Sequence, residues 1–534
     1  MNNKNALLSL SLSVTLSFIL IFIFFARITQ AAEFHLSNDY LITTNETSGR
    51  GKDSSYFTTG FSYLDTFGFS GMGGQNKRLS YNYSAGLNFT GDEMNDIKKV
   101  SLVNAMLELK TVNHSLSMGD IYQSYSRYTF DTALKGVTYS FLKKGTLLPQ
   151  ISGIFGWDYP RWDSLWNDPL TKTLKREGFA IRIKQPLSDN LWVGYTQAKT
   201  KDTDSVDEYD QLYDSINHSF DFSFMPVSGI ILTGERAKSK YVETVFDDSG
   251  KGGAYRLDLA VTQDLSRISI EYENVHPEFS SFFGSAAQDR RKIKTRWSYA
   301  SSEKTDLDFM LLYYRDNLNG DNEYGTMRNW SPEITLSMET PFEKRENSSA
   351  EITYHFDRQY DNDSSTADHY ITANYQDVFF SVESNTDIAW TIYRTEDAIS
   401  RSNELTFNTS LNSETEFSSL IMKPSVNIGA WKTRDKLSFT TDKNYEYAAG
   451  LEMEAPSLKL ITSLKAGENR MFREGSDDSE KFFAVLSGTW RPGFLDRNIQ
   501  SYIYFSAKFN QFSYTDDSEN FREKSLNAGI RTAF

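Results

Sequence analysis

The sequence predicts an all-β protein, a transmembrane antiparallel β-barrel of the up-and-down type with about 22–26 strands. Three observations support this fold class. Apolar and polar residues alternate along nearly the whole chain, aromatic residues make up 14% of it, and cysteine is absent. A barrel that is apolar outside and hydrated inside needs this alternation, and it needs little dry core.

The alternation is clear in consecutive segments. Tyr255, Leu257 and Leu259 share one strand face while Arg256 and Asp258 share the other. A short turn at 263–266 precedes a second strand that sets Ile268, Ile270 and Tyr272 against Arg267, Glu271 and Glu273. Successive side chains of a strand point to opposite sides, so the two segments form a hairpin with one apolar and one charged face. A soluble sandwich also alternates, so the choice of a barrel depends on the other features of the chain.

Composition excludes several classes of protein. The 534 residues include 56 Lys and Arg against 71 Asp and Glu, a formal charge of -15, which argues against a nucleic-acid partner. Without cysteine there is no disulfide framework, thiolate metal site or covalent haem attachment, and only six histidines remain as nitrogen ligands. We therefore expect no metal and no cofactor.

The first 31 residues have the pattern of a signal peptide. Lys4 precedes an apolar run from Ala6 to Ala26, and small residues around Ala31 suit cleavage there. An uncleaved anchor is the alternative, because the run is long enough to span a bilayer. The domain prediction is a signal peptide over 1–31 and one barrel over 32–534.

The carboxyl-terminal segment Ser525 to Phe534 sets Leu526, Ala528 and Ile530 on one face and ends in an aromatic residue. In this, the chain resembles the bacterial outer-membrane β-barrel superfamily. The resemblance implies a Gram-negative outer membrane with its lipid and lipopolysaccharide as surroundings, termini in the periplasm, and Phe534 as the assembly signal for the barrel-assembly machinery. It points to no single family of known substrate.

The segment Ser115 to Gly136 interrupts the simple pattern. It carries five candidate residues for a pore constriction, in which opposed charges and a ring would narrow the lumen: Asp120, Tyr122, Arg127, Asp131 and Lys135. The alternative is a polar strand pair with a turn near Ser126 or Asp131 that lines the wall.

A second cluster lies between Gly156 and Pro169. Trp157, Trp162 and Trp166 with Arg161 are candidates for binding a sugar-like solute, since flat rings stack on pyranose faces and charged groups bond hydroxyls. The alternative is that these rings anchor the loop at the membrane interface.

Two further chemistries are not expected. The acidic stretches 202–210 and 316–323 lack the ligand spacing of a calcium loop. His218 and Ser219 are neighbours on one strand and point to opposite faces, so they cannot form a catalytic dyad there. We therefore expect no enzyme.

The expected function is an outer-membrane channel that passes ions or small polar solutes through a hydrated, loop-constricted lumen. An unplugged barrel of this size would be a wide hole. The alternative is therefore a sheath or export conduit, of the polysaccharide-secretion or porin-cytochrome type, filled by a periplasmic partner protein or a polymer.

Overall fold

A computed structural model describes residues 32–534 of the chain with short gaps. The gaps are 75–77, 93–95, 97, 144–146, 159–160, 163–174, 205–211, 244–247, 321–324, 343, 346, 362–363, 396–400, 494–500 and 534. The predicted signal peptide, Trp166 and Phe534 therefore lie outside the described residues, and the predictions made for them stay predictions.

The described chain is almost entirely strand, with three short 3-10 turns at Lys52–Ser54, Pro456–Leu458 and Asp517–Glu519. The strands are β1 Ala32–Gly49, β2 Gly60–Gly73, β3 Ser80–Thr90, β4 Val100–Lys110, β5 His114–Ser126, β6 Phe130–Phe141, β7 Gln150–Asp158, β8 Lys175–Ser188, β9 Leu191–Asp204, β10 Tyr213–Val227, β11 Ile230–Glu243, β12 Asp248–Gln263, β13 Ser266–Val275, β14 Arg290–Ser302, β15 Thr305–Asp316, β16 Arg328–Glu339, β17 Ser349–Tyr360, β18 Ser365–Phe379, β19 Val382–Thr395, β20 Arg401–Ser413, β21 Thr415–Phe417, β22 Leu420–Asp435, β23 Thr441–Ala455, β24 Leu460–Phe472, β25 Ser479–Trp490, β26 Tyr502–Tyr514 and β27 Phe521–Ala533.

These strands form one closed antiparallel barrel, as the sequence predicts. Each strand pairs with its neighbour along the chain, and β1 pairs with β27 from Ser37↔Ala533 to Gly49↔Phe521. The three-residue β21 continues β20 along β22, so the wall counts 26 strands. Closure through β1 and β27 leaves neither the first nor the last strand as an exposed edge, which a barrel in lipid requires.

The two faces of the wall differ as the alternation predicts. In the hairpin of β12 and β13, Leu257, Ile268 and Ile270 are exposed on the outside, 46%, 37% and 39% of each side chain being accessible. Arg256 and Glu271 face the lumen and form an ion pair at 3.2 Å. An apolar outer surface with a charged interior is the reverse of a soluble protein, and it is what a lipid environment stabilises.

The two rims of the barrel carry different connections. β1 begins and β27 ends at the same rim, called here the terminal rim. The turns at this rim include Asp189–Asn190, Asp264–Leu265 and Phe380–Ser381. The opposite rim, called the loop rim, carries the longer connections, including 276–289 between β13 and β14. In the described residues, no helix is long and apolar enough to cross a membrane.

Candidate functional site: a hairpin inside the lumen

The hairpin of β5 and β6 starts in the wall and leaves it halfway. β5 pairs with β4 only from Lys110↔Ser115 to Met106↔Gly119, and β6 pairs with β7 only from Phe141↔Ile151 to Lys135↔Trp157. Beyond these points β5 and β6 pair only with each other, as far as Ser126↔Phe130. The loop-rim half of the hairpin therefore turns away from its neighbours in the wall.

A row of four glycines lies where the hairpin departs. Gly119, Gly136, Gly156 and Gly178 are direct partners across β5, β6, β7 and β8. Gly119 has a φ of +111°, which other residues rarely adopt. A Cβ on Gly136 would lie 2.0 Å from the carbonyl oxygen of Phe155, so only glycine allows the strands to come this close.

The tip of the hairpin is bonded to inward side chains of β10, β11 and β13. Ser126 donates to the Glu235 carboxylate on β11 and accepts from the Ser219 hydroxyl on β10 at 2.9 Å. Tyr128 donates its hydroxyl to Glu273 on β13 at 2.9 Å. Since β10, β11 and β13 lie well around the barrel from β5, the hairpin spans part of the lumen.

Charges reinforce this docking. The Arg127 guanidinium lies 3.5 Å from Glu271 and 3.6 Å from Glu273, and Lys292 on β14 also pairs with both carboxylates, at 2.7 and 2.6 Å. Burial, followed by the adjacent Glu273 carboxylate, raises the pKa of the Tyr128 phenol, which stays a hydrogen-bond donor. The tip thus presents donors and a cation to a group of inward carboxylates.

Apolar packing accompanies the polar contacts. Tyr128 and Phe130 are completely buried, and they pack in two clusters against small inward residues of the wall. The small residues are Ala180, Ala198, Ala237 and Ala254. Alanine at an inward position leaves room for an inserted side chain, so the wall is shaped to receive the hairpin.

The connection between β13 and β14, residues 276–289 and called here the inner segment, completes the insert. Phe279 packs on Tyr128, and Phe283 packs on Phe130 with ring centroids 5.5 Å apart. The backbone N–H of Asp131 donates to the carbonyl of Phe283 at 2.6 Å, and that of Ser285 donates to the carbonyl of Arg127 at 2.8 Å. The hairpin and the inner segment therefore form one packed unit against β7 to β13.

A polar recess of about 490 Å³ opens beside the inner segment. Its lining includes Arg176, Tyr213, Glu243, Phe282 and Gln288. The Arg176 guanidinium lies 3.5 Å from the centre of the Phe282 ring and is fixed by Asp202 at 2.6 Å. An aromatic ring beside charged and amide groups is a surface suited to polar solutes.

The five constriction candidates occupy three different environments. Asp120 and Lys135 form an ion pair at 2.8 Å near the point of departure, and Asp120 also accepts from the Trp162 indole at 2.7 Å. Arg127 lies at the tip among carboxylates, as described. Tyr122, 63% exposed, donates to Asp131 on the face of the hairpin that is turned to the open lumen. The charged candidates are thus largely paired.

Of the aromatic candidates, the two that the structure describes, Trp157 and Trp162, do not form one track. Trp157 follows Phe155 on the outer face of β7 and donates to Glu177 at 3.4 Å. Trp162 lies beneath the loop rim, with Lys135 5.5 Å from its ring centre, and Arg161 pairs with Asp96 at 2.8 Å. Arg161 and Trp162 therefore connect two loops over the departure point of the hairpin.

His218 and Ser219, which the sequence excludes as a catalytic dyad, also point to opposite faces in the structure. His218 bonds the Tyr195 hydroxyl at 2.8 Å on the outer face, whereas Ser219 bonds Ser126 in the lumen. Among the residues described, no group of three histidine, aspartate or glutamate side chains is placed to hold a metal ion.

Several residues of the site were not singled out from the sequence: the glycine row, Glu235, Phe279 and Phe283. One signal was present. Inward positions of β8, β9, β11 and β12 hold Ala180, Ala198, Ala237 and Ala254 where neighbouring inward positions are charged or polar. A patch of small inward residues across adjacent strands indicates an insert, but only once strand order is known.

Comparison with known proteins gives remote structural similarities alone. No protein-family model and no curated protein matches the chain. Among solved structures, the chain is similar to Pseudomonas aeruginosa OccK8 (OprE) with 9% identity, a TM-score of 0.36, and coverage of 64% of this chain and 98% of that one.

Two other similar structures are a pilus usher pore and a carbohydrate-binding barrel. The P pilus usher (PapC) translocation pore shares 8% identity with a TM-score of 0.38, covering 93% of this chain and 99% of that one. Wzi, a carbohydrate-binding outer-membrane β-barrel of Escherichia coli, shares 10% identity with a TM-score of 0.33, covering 62% and 82%.

Proposed function

We propose that this protein is an outer-membrane channel that passes ions or small polar solutes, with a lumen narrowed from one side by the β5–β6 hairpin. The observation that carries the proposal is the docking of Ser126 and Tyr128 on Glu235 and Glu273 inside a closed barrel with an apolar exterior. The terminal rim would face the periplasm and the loop rim the outside of the cell.

The path of solutes would follow the part of the lumen that the insert leaves uncovered. The hairpin and inner segment contact β7 to β13, whereas inward positions of later strands carry exposed polar groups. They include Glu333 near His355 on β16 and β17, and Lys423 with Glu452 on β22 and β23. Charged, hydrated side chains of both signs suit passage of polar solutes.

The first experiment is single-channel conductance of the refolded protein in planar bilayers, with residues 122–133 replaced by a short turn in a matched variant. We expect a steady channel in the intact protein and a larger conductance in the shortened one. A control variant, Arg470→Gln, changes a group on the outer face near the loop rim and should keep the unitary conductance. Equal conductance with and without the hairpin would contradict the proposed constriction.

A cysteine pair distinguishes a fixed constriction from a gate. Ser126 and Ser219 are buried with their hydroxyl oxygens 2.9 Å apart, and the chain has no native cysteine. The S126C/S219C double variant should form a disulfide that fixes the tip to β10. Identical conductance in oxidised and reduced protein indicates a fixed insert; opening events that occur only after reduction indicate a gate.

The size of the barrel favours a second function. Barrels of 16–18 strands already hold an aqueous channel, and this wall has 26 strands with an insert on one side. A conduit for a polymer or periplasmic partner would use the remaining width. It predicts co-purification of that partner and a large, unstable conductance of the empty barrel, whereas a simple channel predicts steady openings alone.

A further inference from the structure

Two carboxylates face each other on the inward side of the wall that the insert leaves uncovered. Asp357 on β17 and Asp368 on β18 are direct cross-strand partners, each three residues from the loop-rim end of its strand. Their side of the sheet follows from the alternation, because Tyr354 and Ile371 are exposed on the outer face, by 38% and 37%. Both aspartates therefore face the lumen, and both are half-buried.

The charge of this pair is not neutralised within the protein. Directly opposed like charges destabilise two paired strands. In the described part of the chain neither aspartate has an ion-pair partner, and the inward positions of β16 to β20 hold no lysine or arginine. The residues that the structure does not describe between β14 and β23 are Asp, Glu, Asn, Tyr, Ala, Ile and Ser, so they add no lysine or arginine either.

By strand order, the nearest inward cations of the described strands lie on β14, beyond β15 and β16. The Arg290 guanidinium lies 4.5 Å from the centre of the Tyr314 ring, and Lys292 pairs with Glu271 and Glu273. Both cations are thus engaged away from β17 and β18. The aspartate pair consequently presents negative charge to the lumen close to the loop rim.

Two neutral donors hold the pair in place. The Nδ2 of Asn329 on β16 donates to Asp357, and the Tyr370 hydroxyl donates to Asp368 at 3.1 Å. These bonds orient the two carboxylates without adding a positive charge. The repulsion between the carboxylates is therefore reduced by hydrogen bonds alone.

Two buried oxygens at the pair have no donor. Asn329 is only 3% exposed and its Oδ1 has no hydrogen-bond partner, and the Oδ1 of Asp368 has none either. Turning the Asn329 amide over would not help, because its oxygen would then meet the Asp357 carboxylate, acceptor against acceptor. Buried acceptors are nearly always bonded in native proteins, so an orphaned one indicates a bound group that supplies the donor. A positively charged donor would satisfy both oxygens and the charge of the pair.

We propose that Asn329, Asp357, Asp368 and Tyr370, called here the aspartate-pair site, bind the primary ammonium group of an organic cation that enters the lumen. A primary ammonium has three N–H donors and no acceptor, which matches the acceptor oxygens of Asn329, Asp357 and Asp368. Calcium takes six to eight oxygen ligands, more than these residues provide. The proposal rests on the channel proposed above as the source of the cation, but binding itself does not require conduction.

The experiment is a calorimetric titration of the purified protein in detergent with ethylammonium chloride. Tetramethylammonium chloride, which has the same charge but no N–H donor, is the second probe, and calcium chloride is the third. Wild type should bind ethylammonium and bind tetramethylammonium far more weakly. D357N and D368N keep the size of the side chain and should each bind ethylammonium about tenfold more weakly, because each loses one charged acceptor.

Asp387 on β19 provides the matched control. It is also an inward carboxylate of the uncovered wall, but its cross-strand partners are Asn374 and Asn408, and Asn374 donates to it at 2.6 Å. D387N should bind ethylammonium as wild type does. Equal binding of ethylammonium by D368N and wild type, or equal binding of the two ammonium ions by wild type, would overturn the proposal. Calcium binding that is tighter than ethylammonium binding and is lost in D368N would overturn it in favour of a metal site.

A second readout separates binding from a structural role. Without any amine, D357N and D368N should have the unfolding midpoint of wild type or a higher one, because each variant removes the repulsion between the opposed carboxylates. A lower midpoint in both variants would overturn the proposal, since the pair would then serve the fold. A protein that binds ethylammonium but forms no steady channel would contradict the proposed channel and keep the site, and a steady channel without ethylammonium binding would do the reverse.

Discussion

Single residues decide whether the hairpin lies in the wall or in the lumen, and Gly136 is the clearest case. A Cβ there would lie 2.0 Å from a backbone oxygen of β7, which cannot move without shifting the strand. Gly136→Ala should therefore cost about 1–3 kcal/mol and loosen the docked tip. We expect larger and noisier single-channel currents than in wild type.

The matched control for this prediction is Gly153→Ala on β7, where the nearest atom to the new Cβ is 3.6 Å away. It should leave both conductance and unfolding midpoint unchanged. If both alanine variants behaved alike, the close approach at Gly136 would not be what positions the hairpin.

The Tyr128 hydroxyl is a second residue on which docking depends. Tyr128→Phe keeps the buried ring and removes the hydrogen bond to Glu273, whose carboxylate retains Lys292 at 2.6 Å. Loss of a hydrogen bond to a charged acceptor should destabilise the docked tip by about 1.5–3 kcal/mol. The free energy of unfolding in denaturant is the measurement, with Tyr122→Phe as the control because its hydroxyl is exposed and should contribute less. Equal losses of unfolding free energy in the two variants would contradict a tightly docked tip.

The ion pair of Asp96 and Arg161 at the loop rim should make the stability of the folded state depend on pH. Burial acts to raise the pKa of Asp96, but hydrogen bonds from Arg161 and from the backbone of Lys98 outweigh it and hold the pKa below its ordinary 3.8. The folded state thus binds the proton less readily than the unfolded chain, so the stabilisation is present above pH 3.8 and disappears as pH falls through the lowered pKa.

Asp96→Asn should accordingly be less stable than wild type at pH 7, and the difference should shrink as the pH is lowered from 4 toward 2. The difference should stay below about 1 kcal/mol because Arg161 is partly exposed. Unfolding midpoints of both proteins at these pH values check this; a difference that persists at low pH would assign the effect to packing rather than to charge.

Among elements, the inner segment is the one whose packing holds the hairpin. Phe283 is 2% exposed between Phe130 and the glycine of β8, whereas its neighbour Phe282 is 46% exposed. Phe283→Ala should cost about 3–5 kcal/mol of docking free energy. Phe282→Ala, which loses mainly the contact with Arg176, should cost about 1 kcal/mol or less.

Protease protection provides the measurement for this pair. The Arg127 peptide bond at the hairpin tip should become sensitive to trypsin in Phe283→Ala and stay protected in Phe282→Ala. Protection in both variants would mean that the hairpin docks without the inner segment.

Regular hairpins were predictable from the sequence because the alternation of apolar and polar residues is enough to assign each residue of a strand to the outer or the inner face. The turn predicted at 263–266 is the observed connection of β12 and β13, and Arg256 and Glu271 share the face turned to the lumen, opposite the apolar face, as expected. The course of β5 and β6 was not predictable to the same degree. Gly119 lies outside the usual strand conformation, and the contacts of Tyr128 depend on strands far along the chain.

For the whole molecule, closure depends on an even number of strands. β1 and β27 run antiparallel, while β1 and β26 run in the same direction. A chain that ends after Tyr514 would expose two edges to lipid or close through a parallel pair. We expect it to fail the shift in gel mobility on heating that folded barrels show.

Deletion of β18 and β19 together is the control for this truncation. It joins β17 to β20, which are antiparallel, and leaves 24 strands with an even count, so it should still fold and close. If the chain lacking β27 folded as well as this variant, the pairing of β1 with β27 would not be required for closure.

The glycine row also has a consequence for how such proteins diversify. Each glycine codon is one nucleotide away from alanine and valine, so any of the four positions can lose its glycine in a single mutational step. A descendant with a larger residue at Gly136 or Gly156 would keep the whole wall but would no longer hold the hairpin in the lumen. The position of the hairpin can thus be inherited and selected separately from the barrel and, in the channel proposed above, the width of the pore with it.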